Sequence, residues 1–199
     1  EISLNGLDWT NTGLTFSYYE EPIMTEINPD SGSEKGGQPV FIMGKNFPNI
    51  TASKEFNCRF TPISLKNTPK IMPAYYLNDT AIYCITPGGW GQGDKMQLQV
   101  TFNGGDYDQN NFRYTFFNIA QAVPRSGPSN GLGGDILVKG QGFRADSGPL
   151  CRLNNTVYEP VSVSWSEIRC PMQRAQSDDF FGSVDLAVTA NGLDWHEFE

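Results

Sequence analysis

Four cysteines fall as two pairs, Cys58 with Cys84 and Cys151 with Cys170. An even number of thiols at matching positions reads as one disulfide in each of two units, the plainer alternative being four reduced thiols in a core. Zinc is the weaker option, because no C-x-x-C spacing occurs and the single imidazole is His196. Disulfides persist in oxidising compartments. Asn49-Ile50-Thr51, Asn78-Asp79-Thr80 and Asn154-Asn155-Thr156 are acceptors for N-glycosylation. Asn67-Thr68-Pro69 is not, since its Thr stands in the middle position. Cysteine pairs and sequons together favour an extracellular glycoprotein, secreted or on the cell surface, with N-linked glycans among its partners.

Carboxylates gather at a motif that occurs three times: Asn5-Gly6-Leu7-Asp8-Trp9, Asn103-Gly104-Gly105-Asp106-Tyr107 and Asn191-Gly192-Leu193-Asp194-Trp195. Asp8, Asp106, Asp108 and Asp194 could hold Ca²⁺ as hard oxygen ligands. The simpler reading has Asn-Gly making the turn, Asp bonding its backbone, and Trp or Tyr capping a sandwich end. No metal is therefore expected. Tyr75, Tyr76 and Trp90, read as exposed loop aromatics, are candidates for stacking on carbohydrate or for packing on a neighbour.

Catalytic chemistry has little support. One histidine near the end of the chain disfavours His-dependent triads, and no Gly-x-Ser-x-Gly or phosphate loop is present. Gly131-Leu132-Gly133-Gly134 precedes a strand pattern, so it reads as a turn and not as a nucleotide cradle. The expectation is no catalytic residue and no cofactor. A net charge of -8 with a pI near 4.6 opposes polyanion binding, so no nucleic acid is expected. No run of 18 apolar residues occurs, and the segment is not expected to contact a membrane.

The elements that must position these residues repeat. Asn5 to Asn103 is 98 residues and Asn103 to Asn191 is 88, each the size of one small domain. Phe16-Ser17-Tyr18 matches Phe112-Arg113-Tyr114 a few residues beyond its Asn-Gly. Residues 21–47 and 120–143 share one layout: a strand ending at Pro29 or Pro124, a glycine-rich turn, and a strand ending at Gly44 or Gly140, with Phe47 or Phe143 following. Met96–Phe102 and Val184–Thr189 alternate apolar and polar residues before running into Asn-Gly, the strongest short hairpin signal. No stretch carries a convincing helical period. Seven or so short strands per unit, bridged once, predict an all-β fold of tandem immunoglobulin-like sandwiches. The linkers are nearly absent, which predicts a rod.

The series Ile27-x-Pro29-x-Ser31-Gly32-x-x-x-Gly36-Gly37, Val40-x-Ile42-x-Gly44-x-Asn46-Phe47, Cys58-x-Phe60, Ile82-x-Cys84-x-x-Pro87, Val100-x-Phe102-Asn103-Gly104 and Phe112-x-Tyr114 resembles an IPT/TIG domain. The cysteines make it similar to the extracellular, disulfide-bearing branch, found in plexins and in tandem arrays. The resemblance spans nearly the whole chain and implies fold more than function. The expected organisation is a C-terminal hairpin of a preceding or partner domain at 1–20, a complete domain at 21–117, and a second lacking its last strand at 118–199. Either the chain is a window on one long polypeptide, or residues 1–19 of one copy complete residues 118–199 of the next by strand addition. The expected role is a non-enzymatic stalk, fibre or surface coat for adhesion or spacing, whose partners are neighbouring repeats or copies of itself. The alternatives are a segment of a plexin-like or adhesion receptor and an accessory or carbohydrate-binding module of a secreted enzyme.

Overall fold

The computed structural model describes residues 1–11, 13, 16–50, 55–64, 68–91, 93–128, 134–172 and 182–198. Thr51 of the first sequon and Gly131–Gly133 of the glycine-rich turn lie outside them. The strands run in order β1 (Ile23–Asn28), β2 (Ser31–Ser33), β3 (Pro39–Lys45), β4 (Asn57–Pro62), β5 (Lys70–Asn78), β6 (Ala81–Ile85), β7 (Lys95–Thr101) and β8 (Phe112–Val123). They continue with β9 (Ile136–Gln141), β10 (Leu150–Leu153), β11 (Thr156–Tyr158), β12 (Ser162–Val163), β13 (Glu167–Cys170), β14 (Leu186–Thr189) and β15 (Trp195–Glu197). Among the described residues the only helix is a 3-10 turn at Ala145–Ser147. The chain is all-β, as its alternating pattern requires.

The first sandwich curls through β5. Residues 70–73 of that strand pair with β4, while Ala74–Asn78 pair with β6, so one strand serves both layers. One layer is β1-β3-β6-β5, and the other is β4-β7-β8 with β2 beside β8. Inward residues of both, among them Val40, Ile42, Phe60, Ile82, Leu98 and Tyr114, form one core. Cys58 on β4 is bonded to Cys84 on β6, their Cα atoms 6.3 Å apart, which ties the two layers through that core. In the second sandwich the later half of β8 pairs with β9, then β13 and β12. The opposing layer is β11-β10-β14-β15. Cys151 on β10 is bonded to Cys170 on β13, again joining layer to layer. A second core forms around Val138, Phe143, Ile168 and Val188.

The Gly-x-x-Phe of both units has one structural cause. A Cβ on Gly44 would run into the Ile23 carbonyl oxygen and the Phe47 ring, and one on Gly140 into the Asn118 carbonyl oxygen and the Phe143 ring. The glycine lets the first strand of each unit pass close, and the phenylalanine folds over it. Gly44 and Phe47 N–H groups donate to the Thr80 and Asp79 carbonyls, and Gly140 and Phe143 N–H groups to those of Ser166 and Trp165.

The strand that holds Phe112-Arg113-Tyr114 runs well past that match. β8 runs for 12 residues, its first part closing the first sandwich against β7 and its last part opening the second against β9. Residues 16–18 form no strand, and among the described residues of 1–19 the pairing is a single bridge between Ile2 and Thr10. Leu4, Leu7, Trp9, Phe16 and Tyr18 are exposed there.

Candidate functional site: three hairpin tips and the junction between the sandwiches

The repeated motif makes the same turn each time. Glycine is needed at its second position, where φ is 73° at Gly6, 76° at Gly104 and 75° at Gly192. The asparagine oxygen accepts from the backbone N–H groups of Leu7 and Asp8 (2.9 and 2.8 Å), of Gly105 and Asp106 (3.1 and 2.9 Å), and of Leu193 and Asp194 (3.1 and 2.9 Å). The asparagine Nδ2 donates to the aspartate at 2.7, 2.9 and 3.0 Å respectively. Asp8, Asp106 and Asp194 therefore face their own turn. Asp108 lies further in, where its carboxylate accepts from the Val100 and Asn110 N–H groups. Burial pushes its carboxyl above the usual range against those bonds. Among the described residues, no three His, Cys, Asp or Glu side chains gather as a metal site.

The aromatic of the motif is held by an arginine that the sequence pattern had not singled out. Arg59 follows Cys58 and lays its guanidinium carbon 3.7 Å from the Tyr107 ring centroid. Arg152 follows Cys151 and stands 4.9 Å from that of Trp195. The Cys-Arg pair present in both units was the available signal: cysteine inward, arginine outward onto the neighbouring tip. Among the described residues no arginine lies over Trp9, which is 62% exposed.

The third tip closes the junction. Asn191 Nδ2 also donates to the Ser31 carbonyl, 2.9 Å away. Beside it, Arg144 Nη1 reaches Asp30 Oδ2 at 2.7 Å while Nη2 holds Asp146. Trp165, at the turn between β12 and β13, lies against Gly93 and beneath the Lys95 ammonium, 4.7 Å from its ring. The Glu34 N–H donates to the Phe117 carbonyl on the shared strand. A cleft of about 480 Å³ opens here, lined by Ser33, Lys35, Phe117, Ile119, Trp195 and His196 among others. Burial, and then the charge of Lys35, lower the His196 pKa. Sequence reasoning missed Asp30, Arg144 and Trp165, because each meets a partner from the other unit.

The remaining candidates separate. Tyr75 is exposed and stacks on Tyr83 at 4.8 Å, whereas Tyr76 packs partly into the first core. Trp90 is not an exposed loop aromatic as expected: it is 7% exposed, with the Lys70 ammonium 4.3 Å from its ring. The Gly88 carbonyl fixes that lysine at 2.6 Å, and the indole turns inward against the Phe116 ring, 5.9 Å between centroids. Asn49, Asn78 and Asn154 are all exposed, the last two at the ends of β5 and β10.

The family model of the IPT/TIG domain matches residues 22–116 and 118–196. The chain belongs to the IPT/TIG domain family. It is 22% identical to Plexin-A3 of Mus musculus over 98% of its own length and 11% of that protein's, so it spans about a ninth of this relative. Among solved structures it is similar to the extracellular region of Plexin A4, with 15% identity and a TM-score of 0.47 over 100% of this chain and 17% of that one. A surface glycan-binding protein from Prevotella bryantii matches with 16% identity and a TM-score of 0.32 over 89% of this chain and 41% of that one.

Proposed function

We propose that this IPT/TIG chain is a non-enzymatic structural module of an extracellular glycoprotein array, which spaces or coats as a stalk or fibre. The observation that carries the reading is β8: one unbroken strand closes the first sandwich and opens the second. A joint made of a shared strand has no linker to flex, and the Asp30–Arg144 and Ser31–Asn191 contacts brace it. One covalent bridge through each core supports a molecule that resists unfolding and proteolysis outside the cell. A net charge of -8 discourages lateral clumping. In the finer version of this reading, residues 1–19 pair with another unit and cover Phe16 and Tyr18, which are 81% and 92% exposed. Electron microscopy of the native material tests it. Filaments in which the chain can be traced across successive units support the reading, and discrete particles with bare asparagines overturn it.

A second reading is favoured by the likeness to Plexin-A3, which covers 98% of this chain. Here the same braced pair is a segment of a receptor ectodomain that holds a ligand-binding head away from a membrane. A head domain and a membrane span elsewhere in the same polypeptide decide for it.

A further inference from the structure

Between Phe41 on β3 and Tyr75 on β5, the outer face of the layer β1-β3-β6-β5 is apolar where a solvated sandwich face carries polar side chains, while Glu26, which opposes Met43, and Lys45 stand toward its β1 edge. Phe41 opposes Tyr83 across β3 and β6, and Tyr83 opposes Tyr75 across β6 and β5. Their rings form one row, the first pair with centroids 5.9 Å apart and the second stacked at 4.8 Å. Met43 opposes Ala81 on the same face, and Leu77 stands beside it at the bulge of β5. Phe41 and Met43 are each 39% exposed, Tyr75 42% and Leu77 49%. None of these side chains is charged, which suits a neutral amphipathic ligand.

A tether for such a ligand sits at the edge of the face. Asn78 opposes Ala81, and directly opposed residues share a face. Ala81 precedes Tyr83 by two residues, so the asparagine stands on the tyrosine side, about 7 Å along the strand. Its Oδ1 accepts from the Thr80 N–H at 2.9 Å and the Thr80 hydroxyl at 2.8 Å. Those bonds hold the sequon in a turn and leave Nδ2, the atom that a glycan is joined to, as the remaining polar atom of the side chain. At Asn154, by contrast, Oδ1 accepts from the Asp185 N–H on a distant segment.

We propose that an N-glycan on Asn78 is the occupant of this face, its first two N-acetylglucosamine residues lying over Leu77 and Tyr75. The proposal rests on the reading of the chain as an extracellular glycoprotein. The bond forms between Nδ2 and the anomeric carbon of an oligosaccharide carried on a lipid pyrophosphate. The pyrophosphate leaves and Nδ2 gives up one proton. The C–H faces of the sugars then lie on Leu77 and on the Tyr75 ring face turned away from Tyr83, which removes apolar surface from water.

The chain secreted from a glycosylating eukaryotic host tests this, by peptide mass at each sequon and by NMR of the N-acetyl methyl groups. The expected result is an occupied Asn78 with its methyl resonances moved upfield by the tyrosine rings. They return to the positions of the denatured glycoprotein in Tyr75→Ser. Thr80→Ala, which removes the glycan and keeps Asn78, lowers the melting temperature by several degrees, but by much less when Tyr75→Ser is also present. An occupied Asn78 with unshifted methyls and additive melting changes overturns the proposal and leaves the glycoprotein reading standing. So does a bare Asn78 beside an occupied Asn49 or Asn154. Three bare sequons overturn both. Dimerisation of the Thr80→Ala chain through this face, with no sugar contact in the parent, assigns it to a second copy instead. If Tyr75→Ser fails to fold, the methyl shifts of the parent before and after denaturation still decide.

Discussion

The side-chain nitrogen of Asn191 donates to the backbone carbonyl of Ser31 at 2.9 Å, across 160 positions of sequence. The same asparagine holds its own turn through Oδ1, so one residue that is 7% exposed both shapes the third hairpin and locks it to the first sandwich. Asn103 makes the same turn bonds within its own unit. The motif is thus a turn that can also serve as a joint.

Asn191→Ala removes both uses and leaves the Ser31 carbonyl buried without that donor, a loss of about 1–3 kcal/mol. Asn103→Ala loses the turn alone. The expected outcome in hydrogen exchange is a faster Glu34 amide, which bonds Phe117 at the junction, in Asn191→Ala and not in Asn103→Ala. Equal protection of Glu34 in both variants contradicts a bracing role.

Each disulfide closes its own unit, with separations of 26 and 19 residues. On the chain-entropy argument each stabilises its sandwich by roughly 3–4 kcal/mol. Cys151→Ala with Cys170→Ala is expected to move the urea midpoint of the second sandwich and to leave that of the first nearly in place. Amide exchange at Ile82 in the first core and at Ile168 in the second, followed against urea, separates them. A single coincident transition that shifts as a whole means the shared strand makes the pair one cooperative block.

The outline of the fold was legible because the pattern was duplicated. Cys58 and Cys151, or Gly44 and Gly140, occupy matching places in the two units, and a repeated position names a core role without an alignment. The tips were legible too, since Asn-Gly followed by Asp states its own hydrogen bonds. What pairs one unit with the other was not. Arg144 finds Asp30 114 residues away, and no local period or spacing marks such a partner. Trp90 misled for a related reason: its Gly-rich surroundings read as an exposed loop, while burial depended on Lys70 and Phe116 from other strands. The aromatic row Phe41–Tyr83–Tyr75 was hidden in strands whose inward faces were also apolar, so alternation was weak where two apolar faces met.

Gly44→Ala and Gly140→Ala are expected to destabilise their own sandwiches by about 1–3 kcal/mol, as overpacking does. Neither glycine has a positive φ, so backbone strain does not enter. The cost comes from the added carbon meeting a strand carbonyl and a phenylalanine ring. Pairing Gly44→Ala with Phe47→Leu should recover part of it by removing the ring and none of what the carbonyl contributes. Thermal unfolding of the two single variants and the double variant checks this. Full recovery would place the whole clash on Phe47.

The junction cleft carries a pH dependence whose sign is fixed by His196. Burial and the Lys35 ammonium lower its folded pKa from the usual 6.5, so the folded chain binds fewer protons there than the unfolded chain. Stability from this group is fully present above 6.5 and falls as the pH drops from 6.5 through the lowered folded value. His196→Gln should flatten that part of the profile, with little change at pH 7.5. Lys35→Gln, which removes the second cause and keeps the first, should flatten it in part. Melting temperatures of the parent and both variants between pH 7.5 and 4.5 provide the check. A parent that gains stability on acidification through this window would mean that the imidazolium has found a carboxylate, and Glu34 and Asp194 line the same cleft.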